Sequence, residues 1–468
     1  MKRALLGLCL VGLAAGALAQ RPPNVIVIFA DDLGWGDLSC YGQTHYKTPF
    51  LDKMAEQGMR FTDFYVASPG CSPSRAALLT GCYPQRVSVP QVLNPDSKTG
   101  LNPDETTIAE MLRARGYATA MVGKWHLGVT PPLMPLAQGF DEYYGLPYSN
   151  DMWPMNGKQW PPLFLYEGNT PVEPVKDMAT QGLLTRKYTE RALDFIRRHR
   201  EKPFFLYFAH SMTHVPINAS PSFLGKSGAG LYGDTTVELD WSVGRIMEEV
   251  TRLGLDKDTL IVFTSDNGPW LPYGDWAGSS GGLREGKGTT FEGGMREPGI
   301  FWWPGHIPAG RVCHEVATTM DLLPTIAAYT GAALPSKEID GHDITDLLKG
   351  TPGAKSPTDA FFYYWPGELQ AVRAGRWKLH VPHKHRHQEG LPGKDGKRAG
   401  EVTAEIGLSL FDLITDPDET DNVAAEHPDI VVRLLKLIEE ERKKLGDTGT
   451  KTKGDEVRPP GRVVGSGL

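Results

Sequence analysis

Asn24-Val25-Ile26-Val27-Ile28-Phe29-Ala30 is an unbroken apolar run that stops at Asp31-Asp32. Its β-branched content and its lack of polar alternation predict a strand buried on both faces, as in a parallel sheet covered by helices. The same grammar recurs along the chain. Tyr117 to Val122 runs into Gly123-Lys124-Trp125-His126, Pro203 to Ala209 leads to His210 and His214, and Thr259 to Ser265 leads to Asp266-Asn267. Between the last two runs, Asp234 to Leu253 places Val243, Ile246, Met247 and Val250 on one helical stripe. Strands of this kind separated by helices predict an α/β fold with a large mixed, mostly parallel sheet sandwiched by helices. Ligands of such sheets bind beyond the carboxyl ends of the strands, so the polar residues that end each run are expected to meet in one crevice.

The pattern breaks between Leu347 and Asp359, at Lys349-Gly350-Thr351-Pro352-Gly353 and Ser356-Pro357. Beyond the break, Phe361 to Tyr364, Leu369 to Arg373, Trp377 to Val381 and Leu408 to Leu413 read as short antiparallel strands, and His427 to Leu445 as an amphipathic helix packed on them. The chain therefore divides into a main domain over 20–350, a smaller C-terminal α+β subdomain over 359–445, and a tail over 446–468. That tail is poor in large apolar residues and is expected to be disordered. At the other end, Lys2 and Arg3 precede the apolar stretch Ala4 to Leu18, and Ala17-Leu18-Ala19 has the small-residue spacing of a signal-peptidase site. Residues 1–19 are thus expected to be a signal peptide of an exported protein, periplasmic or secreted if the host is bacterial. The stretch is too short for a membrane span, and no later run approaches that length.

With 468 residues, 49 Lys+Arg against 56 Asp+Glu and a formal net charge of −7, the chain lacks the basic surface of a nucleic-acid partner. Affinity for any polyanion must come from a local basic site. Of the 5 cysteines, Cys9 lies in the leader and Cys40, Cys82 and Cys313 allow at most one disulfide among them.

Cys71 opens the run Cys71-Ser72-Pro73-Ser74-Arg75-Ala76-Ala77-Leu78-Leu79-Thr80-Gly81. Ser72 is suited to an N-cap, Pro73 to the first helical position and Gly81 to the C-terminal stop. Cys71 then sits at the positive end of a helix, where an anion is favoured, and Arg75 one turn on is placed to brace an oxygen of that anion. At every fixed position the run resembles the sulfatase signature Cys-x-Pro-Ser-Arg-x-x-x-Leu-Thr-Gly. The resemblance extends from Asn24 to about Asn422 and implies an alkaline phosphatase-like sheet. It also implies conversion of Cys71 to formylglycine by a formylglycine-generating or sulfatase-maturing enzyme, and hydrolysis of sulfate esters by attack of the aldehyde hydrate on sulfur.

Asp31, Asp32, Asp266 and Asn267 offer only oxygen donors, which suit a hard divalent cation. The resemblance makes that ion calcium, held by these four residues together with residue 71. It further matches Lys124 and His126 to the family's Lys-x-His element, His214 to a second active-site histidine, and Lys287 in Gly286-Lys287-Gly288 to a sulfate-binding lysine. Ser149, in Pro147-Tyr148-Ser149, matches a serine near the sulfate in arylsulfatase A-type enzymes. Lys124, His214, Lys287 and Ser149 are thus expected to bind substrate. Cys71, Arg75, Lys124, His126, His214 and Lys287 are expected to carry the chemistry, with His126 aiding release of sulfate from residue 71. His210 is read as structural.

The Gly281 to Pro298 stretch is most similar to arylsulfatase A and galactosamine-6-sulfatase relatives, which implies an exo-acting enzyme on a sulfated small molecule or glycan. Two other readings are compatible with the residues: a phosphoester or phosphonate hydrolase of the same superfamily, and an inactive glycan-binding homologue in which Cys71 stays a thiol. Substrate choice is assigned to the loops Tyr148 to Pro162, Trp270 to Leu283 and Pro382 to Gly400. The last contains the basic cluster His383, Lys384, His385, Arg386 and His387, which has two readings: a contact for a neighbouring sulfate or carboxylate of the substrate, and a mobile solvated loop, the second being preferred.

Overall fold

A computed structural model describes residues 21–154 and 160–463, so the expected signal peptide lies outside the described residues. The apolar runs form strands, here β1 Asn24–Ala30, β2 Met59–Tyr65, β3 Thr99–Gly100, β4 Ala118–Lys124, β5 Glu142–Leu146, β6 Phe164–Glu167, β7 Thr170–Pro174, β8 Phe204–Ala209, β9 Thr259–Ser265, β10 Arg296–Trp302, β11 Arg311–Cys313 and β12 Ala317–Thr318. The main sheet runs β11-β2-β10-β9-β1-β8-β4-β5-β6-β7, with β12 also on β2. Its centre, β9-β1-β8-β4-β5, is parallel, and β10, β6 and β7 enter antiparallel. Both faces of the centre are dry: Val25, Val27 and Phe29 join one core, and Ile26, Ile28 and Ala30 the other, where the helix Gly230–Arg252 packs.

Register is what gathers the site. Ala30 pairs with Ser265, Phe29 with Ala209, and Gly123 with Ala209. Asp31-Asp32, Asp266-Asn267, His210 to His214 and Lys124 to His126 therefore leave the sheet side by side at one edge, the carboxyl end of the parallel strands.

After the break come β13 Phe361–Tyr364, β14 Leu369–Ala374, β15 Trp377–His380, β16 His383–Gln388, β17 Glu401–Ile406, β18 Ser409–Asp412 and β19 Gly461–Arg462. The order β13-β14-β15-β18 makes the small antiparallel sheet on which the helix Pro428–Leu445 packs. Tyr65, Val66 and Ala67 of the main domain share a core with Phe361, Tyr363, Leu434 and Ile438, so the boundary in sequence is not a gap in the packing.

Two expectations are corrected. The basic cluster His383 to His387 is not a solvated loop, because it lies in β16, which pairs with β17, and alternation along β16 buries His383 and His385. The tail is not disordered over its described part. Asp447 caps Leu369 and Gly449 through their N–H groups, Arg458 pairs with Glu105, and β19 pairs with β3, so ion pairs and backbone bonds replace the apolar contacts the composition lacks. Cys40, Cys82 and Cys313 are free thiols, within the limit of one disulfide that their number sets. Among the strands the sequence reading passed over, β5 is only half-buried at Glu142 and Tyr144, and β2 and β10 carry charges inside the sheet. Arg296 and Arg373 neutralise Asp63 there at 3.0 and 2.8 Å.

Candidate active site

The helix Cys71–Thr80 starts two residues earlier than its sequence implies. Gly70 is the N-cap, Cys71 is the first helical residue, and Ser72 Oγ accepts the Leu93 N–H at 3.0 Å instead of capping the helix. Gly81 ends it in the left-handed region, as expected, at φ 67°. Cys71 is buried, with Lys287 Nζ 3.4 Å from its sulfur. Burial pushes its thiol up to about 12, outweighing Lys124 and Lys287, so an unmodified Cys71 would be a protonated and poor nucleophile near neutral pH.

Around it three carboxylates face three cations. Lys124 Nζ donates to Asp31 Oδ2 at 2.5 Å, and Lys287 Nζ to the two oxygens of Asp32 at 2.7 and 2.9 Å. Arg75 was expected to brace an oxygen on residue 71. Its Nε and Nη2 instead donate to Asp266 Oδ2 at 3.1 and 2.7 Å and its Nη1 to the Lys124 carbonyl at 2.8 Å, because a fully buried guanidinium needs a fixed carboxylate. Burial opposes ionisation of Asp31, yet Lys124 and Arg75 hold its carboxyl below the usual range. Burial and Asp31 push Asp266 up.

The donor set fits a hard cation. Asp31 Oδ1 and Asn267 Oδ1 are buried with no hydrogen-bond partner, which leaves two acceptors aimed at nothing in the protein. Ligand atoms of Asp31, Asp32, Cys71 and His214 lie within 4.8 Å of one another. His214 is thus an additional neighbour of the metal group expected from the sequence, and the Asp266 carboxylate is turned partly toward Arg75.

The two histidines are set differently. His126 Nε2 lies 2.8 Å from the Leu93 carbonyl, which only accepts, so Nε2 bears the proton and Nδ1 is a bare lone pair. That Nδ1 is buried without a partner, and burial with Lys124 and Arg75 nearby drives His126 well below the usual imidazole range. His214 Nδ1 donates to the Val215 carbonyl, leaving Nε2 facing Asp32 Oδ2 at 3.6 Å. Asp32 and His126 both hold left-handed backbone, at φ 59° and 62°, a strain that non-glycine residues carry mainly at functional sites.

Ser149 is buried in the loop after β5, next to Asn150, whose Nδ2 donates to the His214 carbonyl at 3.2 Å. His210 is structural, as expected: burial lowers it to about 3, and its ring packs on Phe208. Sequence reasoning missed two neighbours. Burial opposes ionisation of Asp151, but His214, Lys124 and Lys287 hold it below the usual carboxylate range. The ring of Trp270 lies 4.6 Å from Lys287 Nζ and 5.6 Å from the His214 ring. Both were covered only as members of candidate loops, Asp151 within Tyr148 to Pro162 and Trp270 at the start of Trp270 to Leu283.

The model of the family described as Sulfatase matches residues 23–332, and that described as the C-terminal region of aryl-sulfatase matches residues 356–459. Human arylsulfatase A is 43% identical over 455 residues, covering 92% of this chain and 89% of its own. N-acetylgalactosamine-6-sulfatase of Canis lupus familiaris is 39% identical over 474 residues, covering 95% and 90%. Among solved structures, the PsFucS1 sulfatase from Pseudoalteromonas sp. superposes with a TM-score of 0.83 at 29% identity, covering 94% of this chain and 92% of its own.

Proposed function

The chain belongs to the sulfatase family and is a sulfuric ester hydrolase, and from that premise we propose that it acts through a formylglycine made from Cys71, in exo fashion, on a sulfated carbohydrate. The observation that carries this reading is the surrounding of residue 71. A buried, inert thiol at a helix N-terminus lies among Lys124, Lys287 and His214, an arrangement that suits an anionic ester and not a free cysteine nucleophile.

Asp31, Asp32, Asp266 and Asn267, together with residue 71, are the groups that would hold calcium; when bound, the ion supplies positive charge that offsets the sulfate and lowers the pKa of an oxygen nucleophile. The protein's own groups do the rest. Lys124, Lys287 and His214 bind the sulfate oxygens, aided by Ser149, in a cleft dry enough for those charges to act strongly. One hydroxyl of the residue 71 hydrate, ionised by loss of its proton to bulk water before the substrate closes the cleft, forms the new S–O bond as the ester S–O bond breaks. The departing oxygen takes a proton from His214 Nε2 or from Lys287. His126 Nδ1, a fixed lone pair, accepts the proton of the second hydroxyl as the C–O bond to sulfate breaks, which returns the aldehyde. Water then rehydrates the aldehyde. Arg75 keeps the Asp266 carboxylate and the Lys124 backbone in place throughout.

The signal sequence 1–19 supports export, and among the described residues no helix is long and apolar enough to cross a membrane. A maturation enzyme in the host is a required partner. The test is sulfate release from a panel of defined sulfated sugars, with p-nitrophenyl sulfate alongside, by protein co-expressed with a formylglycine-generating enzyme and supplied with calcium. Release from one sugar and not from its positional isomers is expected; no release from any sugar, with residue 71 converted, overturns the carbohydrate assignment.

A further inference from the structure

Among the five basic residues of the segment His383 to His387, alternation along β16 assigns different tasks. His385 meets Phe291 edge-on at 4.9 Å, and His383 Nδ1 is bound to the Val381 carbonyl at 2.8 Å. Lys384 pairs with Glu405 at the exposed surface, and His387 with Glu285 at 2.7 Å. Arg386 has no such partner among the described residues. Its one hydrogen bond runs from Nη2 to the Lys287 carbonyl, at 3.3 Å.

This is unlike the other arginines of the interior. Arg75, Arg86, Arg296 and Arg373 are buried, and each has a carboxylate oxygen at 3.0 Å or closer. Arg386 is half-buried, and the carboxylates that line its small cavity, Glu285 and Glu401, are engaged by His387 and Arg398. A guanidinium removed from water without an anion is costly, and its fork is shaped to take a carboxylate or sulfate through paired N–H groups. The backbone makes room for it: a Cβ on Gly288 would lie 1.4 Å from Arg386 Nη2, and Gly288 has φ 76°. The hairpin is also fastened to the wall of the site. Gly393 and Ala399 donate to the Pro272 carbonyl at 3.1 and 2.8 Å, and Arg398 sits 5.0 Å over the Trp270 ring. Arg386 thus touches the backbone of Lys287, whose amine reaches Cys71, and stands one lysine side chain away from the nucleophile.

We propose that Arg386 binds a second anionic group of the substrate, a carboxylate or sulfate on the sugar unit beside the reacting ester, so that the β16–β17 hairpin selects substrates by charge at that position. The proposal rests on the carbohydrate reading above and adds the charge of the neighbouring unit to it.

The test uses three disaccharides with the same reacting sulfate and a neighbouring unit that is neutral, a uronate or itself sulfated, together with p-nitrophenyl sulfate. The mature wild-type enzyme is expected to favour one or both charged disaccharides, and the uronate and disulfated arms tell which anion is read. Arg386→Met is expected to lose about 10- to 100-fold in kcat/KM on the favoured charged disaccharide, through KM, and to stay within about threefold on the neutral one and on p-nitrophenyl sulfate. Arg386→Lys should fall between them. Equal losses on every substrate, or a wild-type enzyme indifferent to the neighbouring charge, would overturn the proposal. Calorimetric binding of the same disaccharides to protein left with an unmodified Cys71 gives a reading that needs no turnover. The same charge preference, lost in Arg386→Met, is expected there. Charge-selective binding without any sulfate release by the matured enzyme would refute the catalytic reading of residue 71 and leave the Arg386 subsite standing; equal affinity of wild type and Arg386→Met for the charged disaccharides would refute the subsite.

Discussion

Replacing Lys378 with methionine removes the one lysine from a buried cluster that ties the C-terminal sheet to the loop bearing Lys287. Its Nζ lies 3.0 Å from Glu292 Oε1 and 2.9 Å from Glu419 Oε1, with all three side chains fully buried, and it donates to the Thr290 carbonyl at 2.8 Å. Breaking a buried pair by deleting one partner costs about 3–5 kcal/mol, a large share of the ~5–15 kcal/mol that stabilises a typical domain. Glu292 would keep Arg296 at 3.6 Å and the hydroxyls of Tyr363 and Tyr65, and Glu419 would keep His380 at 2.8 Å. The loss should therefore fall near the lower end, about 3 kcal/mol.

The sign of its pH dependence follows from Glu419. Burial already pushes that carboxyl up, with Lys378 opposing, and without the lysine it rises further. A folded pKa above the unfolded value makes stability fall as pH rises between the two, so the penalty should be larger at pH ~8 than at pH ~5. Urea unfolding of wild type and Lys378→Met at both pH values reads this directly. A change below about 1 kcal/mol, or an equal penalty at both pH values, would refute the assignment of this cluster as a charge-balanced tie.

Cys71→Ser should bind substrate and accept sulfate at most once, since a serine ester lacks the second hydroxyl that expels the product; single- against multiple-turnover sulfate release checks this, and wild-type steady-state turnover would contradict it. Exhaustive chelation with confirmed metal loss should abolish most activity, and calcium should restore it, measured with p-nitrophenyl sulfate. Asp240 accepts the Leu51 and Phe50 N–H groups at 2.8 and 3.1 Å, and burial pushes its carboxyl from 3.8 up to about 7. The unfolded chain gives up that proton first, so this group lowers stability as pH rises from 3.8 towards 7, with a slope of up to about 1.4 kcal/mol per pH unit. Asp240→Asn should flatten stability across that window in thermal melts, and an unchanged profile would contradict the shift.

Four strands of the parallel centre, β1, β4, β8 and β9, were legible because a strand buried on both faces has no polar alternation to confuse it, whereas β5 is half-buried at Glu142 and Tyr144. β9, Thr259–Ser265, has the limits its sequence implies, and the polar residues after each run do meet at one edge. What escaped was structure whose polar residues are satisfied by distant partners. β2 and β10 were passed over because Asp63 and Arg296 look like surface residues until Arg373, far along the chain, closes the pair. The described tail read as disordered for the same reason, since Arg458 and Asp447 find carboxylates and backbone that composition cannot see. At the site, residue types near residue 71 could be named from the Cys71 run and its matching partners, but the tautomer of His126, the engagement of Arg75 by Asp266 and the presence of Trp270 depend on packing.

The most direct measurement couples the mass of the tryptic peptide Phe61 to Arg75 with sulfate release by the same preparation. Protein made with and without a formylglycine-generating enzyme provides a range of conversion at residue 71. The account predicts that turnover, in the presence of calcium, rises in proportion to the aldehyde fraction and vanishes when the peptide carries only thiol. Steady turnover by thiol-only protein, or none by fully converted protein across aryl and carbohydrate sulfates, would contradict it.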